Sequence, residues 1–188
     1  MVEAPVTRRL AAILAADVVG YSRMVGEDEQ GTIEALREVL QDHFRPIIAR
    51  HKGRIVKLMG DGALVEFASV VDAVDAAIEF QRAMAIRNAS ADRPITLRIG
   101  VNLGDIVIQG ADILGDGVNI AARLEARAPA GGVLVSDVAW SQVAGKVDAG
   151  FADGGEVQLK NITRLIRVWR WDGGDKEGSN ARPPARHE

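Results

Sequence analysis

RIVKLMGDGALVEF, residues 54–67, decides how the chain folds. Two short apolar runs flank an Asp-Gly turn signal, so the stretch reads as strand, turn, strand. It also leaves one carboxylate, Asp61, in the turn between two glycines. Upstream, LAAILAADVV, residues 10–19, is an Ala/Ile/Leu/Val run short enough for a buried strand, and the Gly20 to GEDEQ stretch after it reads as a loop. Thr32 is expected to cap the helix TIEALREVLQDHF, in which Ile33, Leu36, Val39, Leu40 and Phe44 fall at helical spacing, and Pro46 marks a kink before IIARHKG.

Downstream, residues 70–88 form a second helix on an apolar stripe of Val71, Val74, Ala77, Ile78, Met84 and Ile86. ITLRIGVNLGDIVIQG reads as two strands broken by Gly104. DGVNIAARLEARAPAGG is a helix that opens at Asp116 and stops before Pro129 and its glycines. VLVSD is a strand, DVAWSQVAG a short helix, and residues 157–171 hold two last strands split near 161–164. The first six elements match the βαββαβ ferredoxin-like unit. The expected fold is therefore α+β: a ferredoxin-like core with additional C-terminal strands and helices, its antiparallel-containing sheet covered by helices. Residues 10–171 are expected to form the domain, 1–9 an N-terminal segment, and 172–188 a disordered tail or a linker, the latter leading to a fused regulatory domain.

Composition narrows the function. A net charge of -3 argues against a broad electrostatic footprint for nucleic acid or an anionic membrane. The absence of cysteine excludes disulfides and thiolate metal sites. The longest apolar stretch is shorter than the roughly 20 residues of a membrane-spanning helix and contains Asp17. With no signal-peptide pattern, a cytoplasmic location is the default.

Asp17, at the end of the first strand, is costly there unless it is paired, hydrogen-bonded or bound to a cation. If strands one and two lie side by side, Asp17 and Asp61 converge as hard oxygen ligands suited to Mg²⁺ or Mn²⁺ carried with a nucleotide. Taken singly, each also fits a plainer reading: a loop cap for Asp17, a turn residue for Asp61. Lys57 reads equally as a solvated strand residue, and Asp112 as a loop residue. Asn119 and Arg123, four apart in VNIAAR, project from one face of one helix, which a solvated surface also explains.

AADVVGYS, KLMGDGALVEF and ADILGDGVNIAARLE together resemble the class III nucleotidyl cyclase catalytic domain, most of all bacterial adenylate cyclases of the rhizobial kind. The resemblance runs over nearly the whole domain, and it implies a role for each residue. Asp17, Asp61 and the Val18 carbonyl match ligands for two Mg²⁺ or Mn²⁺ ions. Gly20, Tyr21 and Ser22 match a phosphate-cradling turn. Lys57 and Asp112 match the purine-contacting pair, Asn119 and Arg123 the residues that orient the ribose and stabilise the pentavalent phosphate. Lys160 matches a triphosphate contact more loosely, with Arg164 and Arg167 as alternatives. The implied reaction turns ATP into 3′,5′-cyclic AMP and pyrophosphate. The implied assembly is a head-to-tail homodimer with shared sites, in which Lys57 and Asp61 serve different sites. A Lys donor and an Asp acceptor also suit guanine, so ATP over GTP rests on the resemblance; a guanylate or mixed-specificity cyclase and a silent nucleotide-binding domain are the alternatives.

Overall fold

The computed structural model describes residues 6–173. Four antiparallel strands lie in the order β2 (Arg54–Met59), β3 (Gly62–Phe67), β1 (Thr7–Val18), β4 (Leu97–Gln109). This is the ferredoxin-like arrangement expected from the βαββαβ order. The first strand is wedged between the third and fourth, so it meets β3 rather than β2. The sheet continues through β6 (Val133–Ser136), parallel to β4, then β8 (Leu165–Trp171) and β7 (Ala152–Gln158), while β5 (Asp112–Leu114) folds back along β4.

β1 is apolar on both faces because both are covered. Ala12, Leu14, Ala16 and Val18 join the main core with α2 (Glu29–Glu38), α3 (Arg45–Arg50), α4 (Val70–Ser90) and α6 (Asp137–Val143). Ala11, Ile13 and Ala15 face the opposite way, into a smaller cluster with Ala121 of α5 (Asp116–Arg127). The side chains alternate with the strand's period of two, and a strand buried on both faces loses the polar half of the pattern.

Several local expectations change. The stretch read as a loop after Gly20 is α1 (Tyr21–Glu27), and Asp28, not Thr32, caps α2 by accepting a hydrogen bond from the Gly31 amide at 3.0 Å. Thr32 is buried instead, and its hydroxyl donates back to the carbonyls of Asp28 and Met24 at 2.6 and 3.0 Å. A π-helical turn, Val39–Phe44, precedes Pro46, whose missing N–H falls where the helix changes its hydrogen-bond step. Ile86 is 77% exposed, off the buried stripe of α4, which Ala73, Ala76 and Phe80 help to form. β1 starts at Thr7, so Arg8 and Arg9 are strand residues opposite Val107 and Ile106. β7 starts at Ala152, five residues ahead of the expected position. The tail beyond residue 173 lies outside the described residues.

Gly104 does not break β4; the strand is continuous through it. Gly100 and Gly104 instead make room for α5. A Cβ on Gly100 would lie 2.3 Å from the Glu125 nitrogen and 2.5 Å from the Ala121 carbonyl oxygen, and one on Gly104 would lie 3.1 Å from the Gly117 Cα. Between them Asn102, 3% exposed, donates to the Gly117 carbonyl at 3.1 Å and accepts from the Ser136 hydroxyl at 2.7 Å.

Gly100→Ala should therefore push α5 off the sheet. The obstruction is backbone rather than a flexible side-chain end, so a loss of about 3 kcal/mol is expected, the upper end of overpacking costs. Gly26→Ala, in α1 with open space around it, should stabilise by up to about 1 kcal/mol. Urea unfolding of the two variants beside the parent checks both; equal stability of Gly100→Ala and parent would show that the helix does not rest on the strand as described.

Candidate active site

The β2–β3 turn is Gly60–Asp61, with Met59 and Gly62 paired across it. The Asp-Gly signal thus locates the hairpin one residue late. Gly60 at φ 57° supplies the positive φ that a tight hairpin needs at its first central position, which leaves Asp61 at the tip. Asp17 faces Gly62 across the β1–β3 ladder, and the Val18 amide donates to the Asp61 carbonyl at 3.2 Å. The two carboxylates converge, as expected, although through β3.

Their electrostatics are those of a site short of positive charge. Burial pushes the Asp17 carboxyl up to about 6, and a hydrogen bond to Asp61 and that group's charge push in the same direction, against the Val18 amide and Arg98. Glu125, half-buried on α5, is raised to about 7 by burial and by the charge of Asp17, again with Arg98 opposing. Neither Arg98 nor Glu125 is among the candidates that the sequence offers. Arg98 could have been found from register, since it pairs with Asp17 across β1–β4, whereas Glu125 depends on how α5 lies on the sheet.

Hard oxygen donors with unneutralised charge fit a divalent cation. Among the described residues no three His, Cys, Asp or Glu side chains gather into a metal site, so the side chains an ion would find here are the Asp17 and Asp61 carboxylates. That set suits an ion whose other ligands come from phosphate and water. Gly20, in the left-handed conformation at φ 69°, opens α1, so Tyr21 and Ser22 occupy its first turn, close after Asp17.

A second pair meets on the same face of the sheet. Lys57 on β2 and Asp112 on β5, 55 residues apart in sequence, are joined at 3.1 Å. The Lys57 hydrogen bond and then the Ile113 amide hold the exposed Asp112 carboxyl below its usual range. Reading Asp112 as a loop residue missed β5, whose three residues are too short to show a pattern.

Asn119 is exposed on α5, and Arg123, one turn later, lines a cavity of ≈530 Å³ with Arg127, Gln158 and Lys160. Arg164 and Arg167 line a different cavity, of ≈820 Å³, beside Asp116 and Asp137. Arg167 is also ion-paired with Asp153 and stacked over Trp169, 5.4 Å from the ring centroid. Of the three candidate cations, Lys160 is the one placed with Arg123. The structure thus gathers Asp17 with Asp61, Lys57 with Asp112, and Arg123 with Lys160; among the described residues, the cavity that holds Arg123 and Lys160 is lined by neither of the other two pairs.

The profile of the Adenylate and Guanylate cyclase catalytic domain family matches residues 6–169. "Putative adenylate cyclase 3" of Rhizobium meliloti is 47% identical over 178 residues, which are 94% of this chain and 30% of that protein. The crystal structure of an adenylate/guanylate cyclase/hydrolase from Silicibacter pomeroyi superposes with a TM-score of 0.84 at 42% identity, covering 89% of this chain and 99% of that one. The adenylyl cyclase CyaB from P. aeruginosa shares the fold, with a TM-score of 0.80 at 21% identity over 94% of this chain and 100% of that one. The chain spans 29% to 54% of the length of the curated relatives it matches.

The carboxylate pair has a measurable signature. A folded-state pKa of about 6 against 3.8 means the native protein holds the Asp17 proton more tightly than the unfolded chain does. Stability must then fall as pH rises from about 4 through 6 and stay low above that. Asp17→Asn removes the penalty. At pH 8 with chelator it should raise stability by about 1 kcal/mol after allowance for solvent screening, and by nothing near pH 3.5. Urea unfolding at the two pH values checks this; a variant less stable than the parent at pH 8 would mean Asp17 is already neutralised.

Proposed function

The chain belongs to the Adenylate and Guanylate cyclase catalytic domain family, and from that premise we propose that it is an adenylate cyclase that converts ATP to 3′,5′-cyclic AMP and pyrophosphate at sites shared between two copies of itself. The observation that carries a purine nucleotide is the Lys57–Asp112 pair, and the choice of ATP over GTP follows the relatives named adenylate cyclase. A donor and an acceptor held side by side at 3.1 Å match adenine, whose N1 accepts and whose 6-amino group donates. Their mutual ion pair keeps both oriented until the base arrives.

Asp17, Asp61 and the Val18 carbonyl would hold two Mg²⁺ or Mn²⁺ ions, which when bound lower the pKa of the ribose 3′-hydroxyl and neutralise phosphate charge. The chain's remaining residues bind and orient. Amides at Gly20, Tyr21 and Ser22 receive phosphate oxygens. Asn119 fixes the ribose so that its 3′-oxygen attacks the α-phosphorus in line with the departing pyrophosphate. Arg123 stabilises the charge that builds on the α-phosphoryl oxygens, and Lys160 holds the terminal phosphates.

Helix geometry supports a shared site. Glu125 lies near Asp17, whereas Arg123 is two residues earlier, and side chains two apart on a helix point to different sides. Arg123 is therefore turned away from the carboxylates of its own chain, and a head-to-tail homodimer would supply the other half. Lys57 and Asp61 then serve different sites. Substrate ATP and the cysteine-free sequence suit a reducing cytoplasm. A regulatory domain elsewhere in the protein would fit the short share of its relatives that the chain spans.

Incubating the purified chain with Mn²⁺ and either ATP or GTP, and identifying the product, tests the reaction. Cyclic AMP is expected; mainly cyclic GMP would make this a guanylate cyclase, and no product from either would point to a silent nucleotide-binding domain. Arg123→Ala should lower kcat by about 10²–10³, as for loss of one oxyanion donor. Mixing Asp17→Ala with Asn119→Ala chains should recover part of the activity, because one of the two composite sites keeps both halves; recovery would be absent if each chain carried a complete site.

A further inference from the structure

Glu66 is a carboxylate only 5% exposed on β3, on the face of the sheet that also carries Asp17 and Leu64. Burying a charge this deeply is costly unless every lone pair is engaged, and here both oxygens are. One is ion-paired with Arg9 of β1. The other accepts from Arg54 of β2, at 2.6 Å from Nη2 and 3.2 Å from Nε. The third nitrogen of the Arg54 fork, Nη1, donates to the Ala111 carbonyl at 3.3 Å. Ala111 immediately precedes Asp112.

The hairpin of β4 and β5 therefore arches over the sheet to β2 and is fastened there twice. Arg54 fastens the backbone of Ala111, and Lys57 meets the side chain of Asp112. Ile113, fully buried in the cluster that Val56 also packs against, holds the hairpin down without choosing its register along β2. An apolar contact is non-directional and would tolerate a slide of an ångström or more. A guanidinium locked by Glu66 is directional, because its planar fork meets two fixed acceptors at once.

We propose that the Glu66–Arg54 couple is a positioning device for the Lys57–Asp112 pair, and that it sharpens selection of the purine. This rests on reading Lys57 and Asp112 as the purine-contacting residues. Neither Glu66 nor Arg54 touches the base; they act by fixing where the Asp112 acceptor stands relative to the Lys57 donor. Freed from Arg54, the hairpin would sample positions in which Asp112 serves the amino groups of adenine and guanine alike.

The test uses Arg54→Met, which keeps the aliphatic stem and removes the fork, beside Arg54→Lys, which keeps the charge but cannot bridge Glu66 and Ala111, and Arg9→Met, which takes the other guanidinium from Glu66 without touching Ala111. Steady-state kinetics with ATP and with GTP are combined with backbone hydrogen exchange of residues 107–114 in the nucleotide-free protein. Both Arg54 variants should raise KM for ATP about three- to tenfold with kcat within about twofold, equivalent to losing one long, exposed charge-assisted hydrogen bond. They should also narrow the ATP-to-GTP ratio of kcat/KM by a similar factor and speed exchange in the hairpin. Arg9→Met should leave ratio and exchange as in the parent. An active parent whose nucleotide ratio is unmoved by Arg54→Lys or Arg54→Met, whichever folds, overturns the positioning role. So does hairpin exchange that is unchanged in those variants. A parent inactive with both nucleotides would instead sink the cyclase reading, while hydrogen exchange would still report whether Arg54 fastens the hairpin.

Discussion

Everything at the candidate site depends on how close α5 comes to β4. An ordinary helix packs on a sheet through side chains, at about 10 Å. Here Gly100 and Gly104 on the strand and Gly117 on the helix remove that spacer, so backbone meets backbone, and Asn102 fastens the contact by donating to the Gly117 carbonyl. The close seat brings Glu125 near the carboxylates at the end of β1. A helix lifted by one side-chain layer would hold it away from them.

The second organising feature is an imbalance of charge. Asp17, Asp61 and Glu125 stand near one another with Arg98 as the cation that opposes them, and burial raises two of the three acids toward neutrality. A fold selected for stability alone would not assemble carboxylates this way. Elsewhere on the same face the chain does neutralise its acids: Glu66 has two guanidinium partners, and Asp112 has Lys57. The contrast between satisfied and unsatisfied carboxylates on one surface is what the proposed cation site rests on.

Much of this was legible from residue order. The central hairpin, the long α4, and the helix carrying Asn119 and Arg123 follow from apolar period and turn residues, and they lead directly to the ferredoxin-like order. The failures have physical causes. Thr32 reads as a cap because its hydroxyl can serve that role, but the acidic cap four residues earlier competes better and leaves Thr32 to the core. Gly104 reads as a break because glycine weakens strands, whereas its missing Cβ makes room for a helix distant in sequence. β5 is too short to carry a period, and its place is set by contacts with β2 and β4 rather than by its own residues.

By itself, the sequence determined which residues are candidates for chemistry, because the motifs that carry the resemblance are local stretches of residue order: the aspartates at 17 and 61, the lysine at 57, the Asn–Arg pair one helical turn apart. It could not determine the contacts through which they meet. That Asp17 reaches Asp61 through β3, that Lys57 reaches Asp112 across 55 residues, and that Lys160 rather than Arg164 or Arg167 stands with Arg123, were decided by tertiary structure. Strand pairing and the depth at which a helix seats are set by packing between distant segments, and packing has no signature in any one of them.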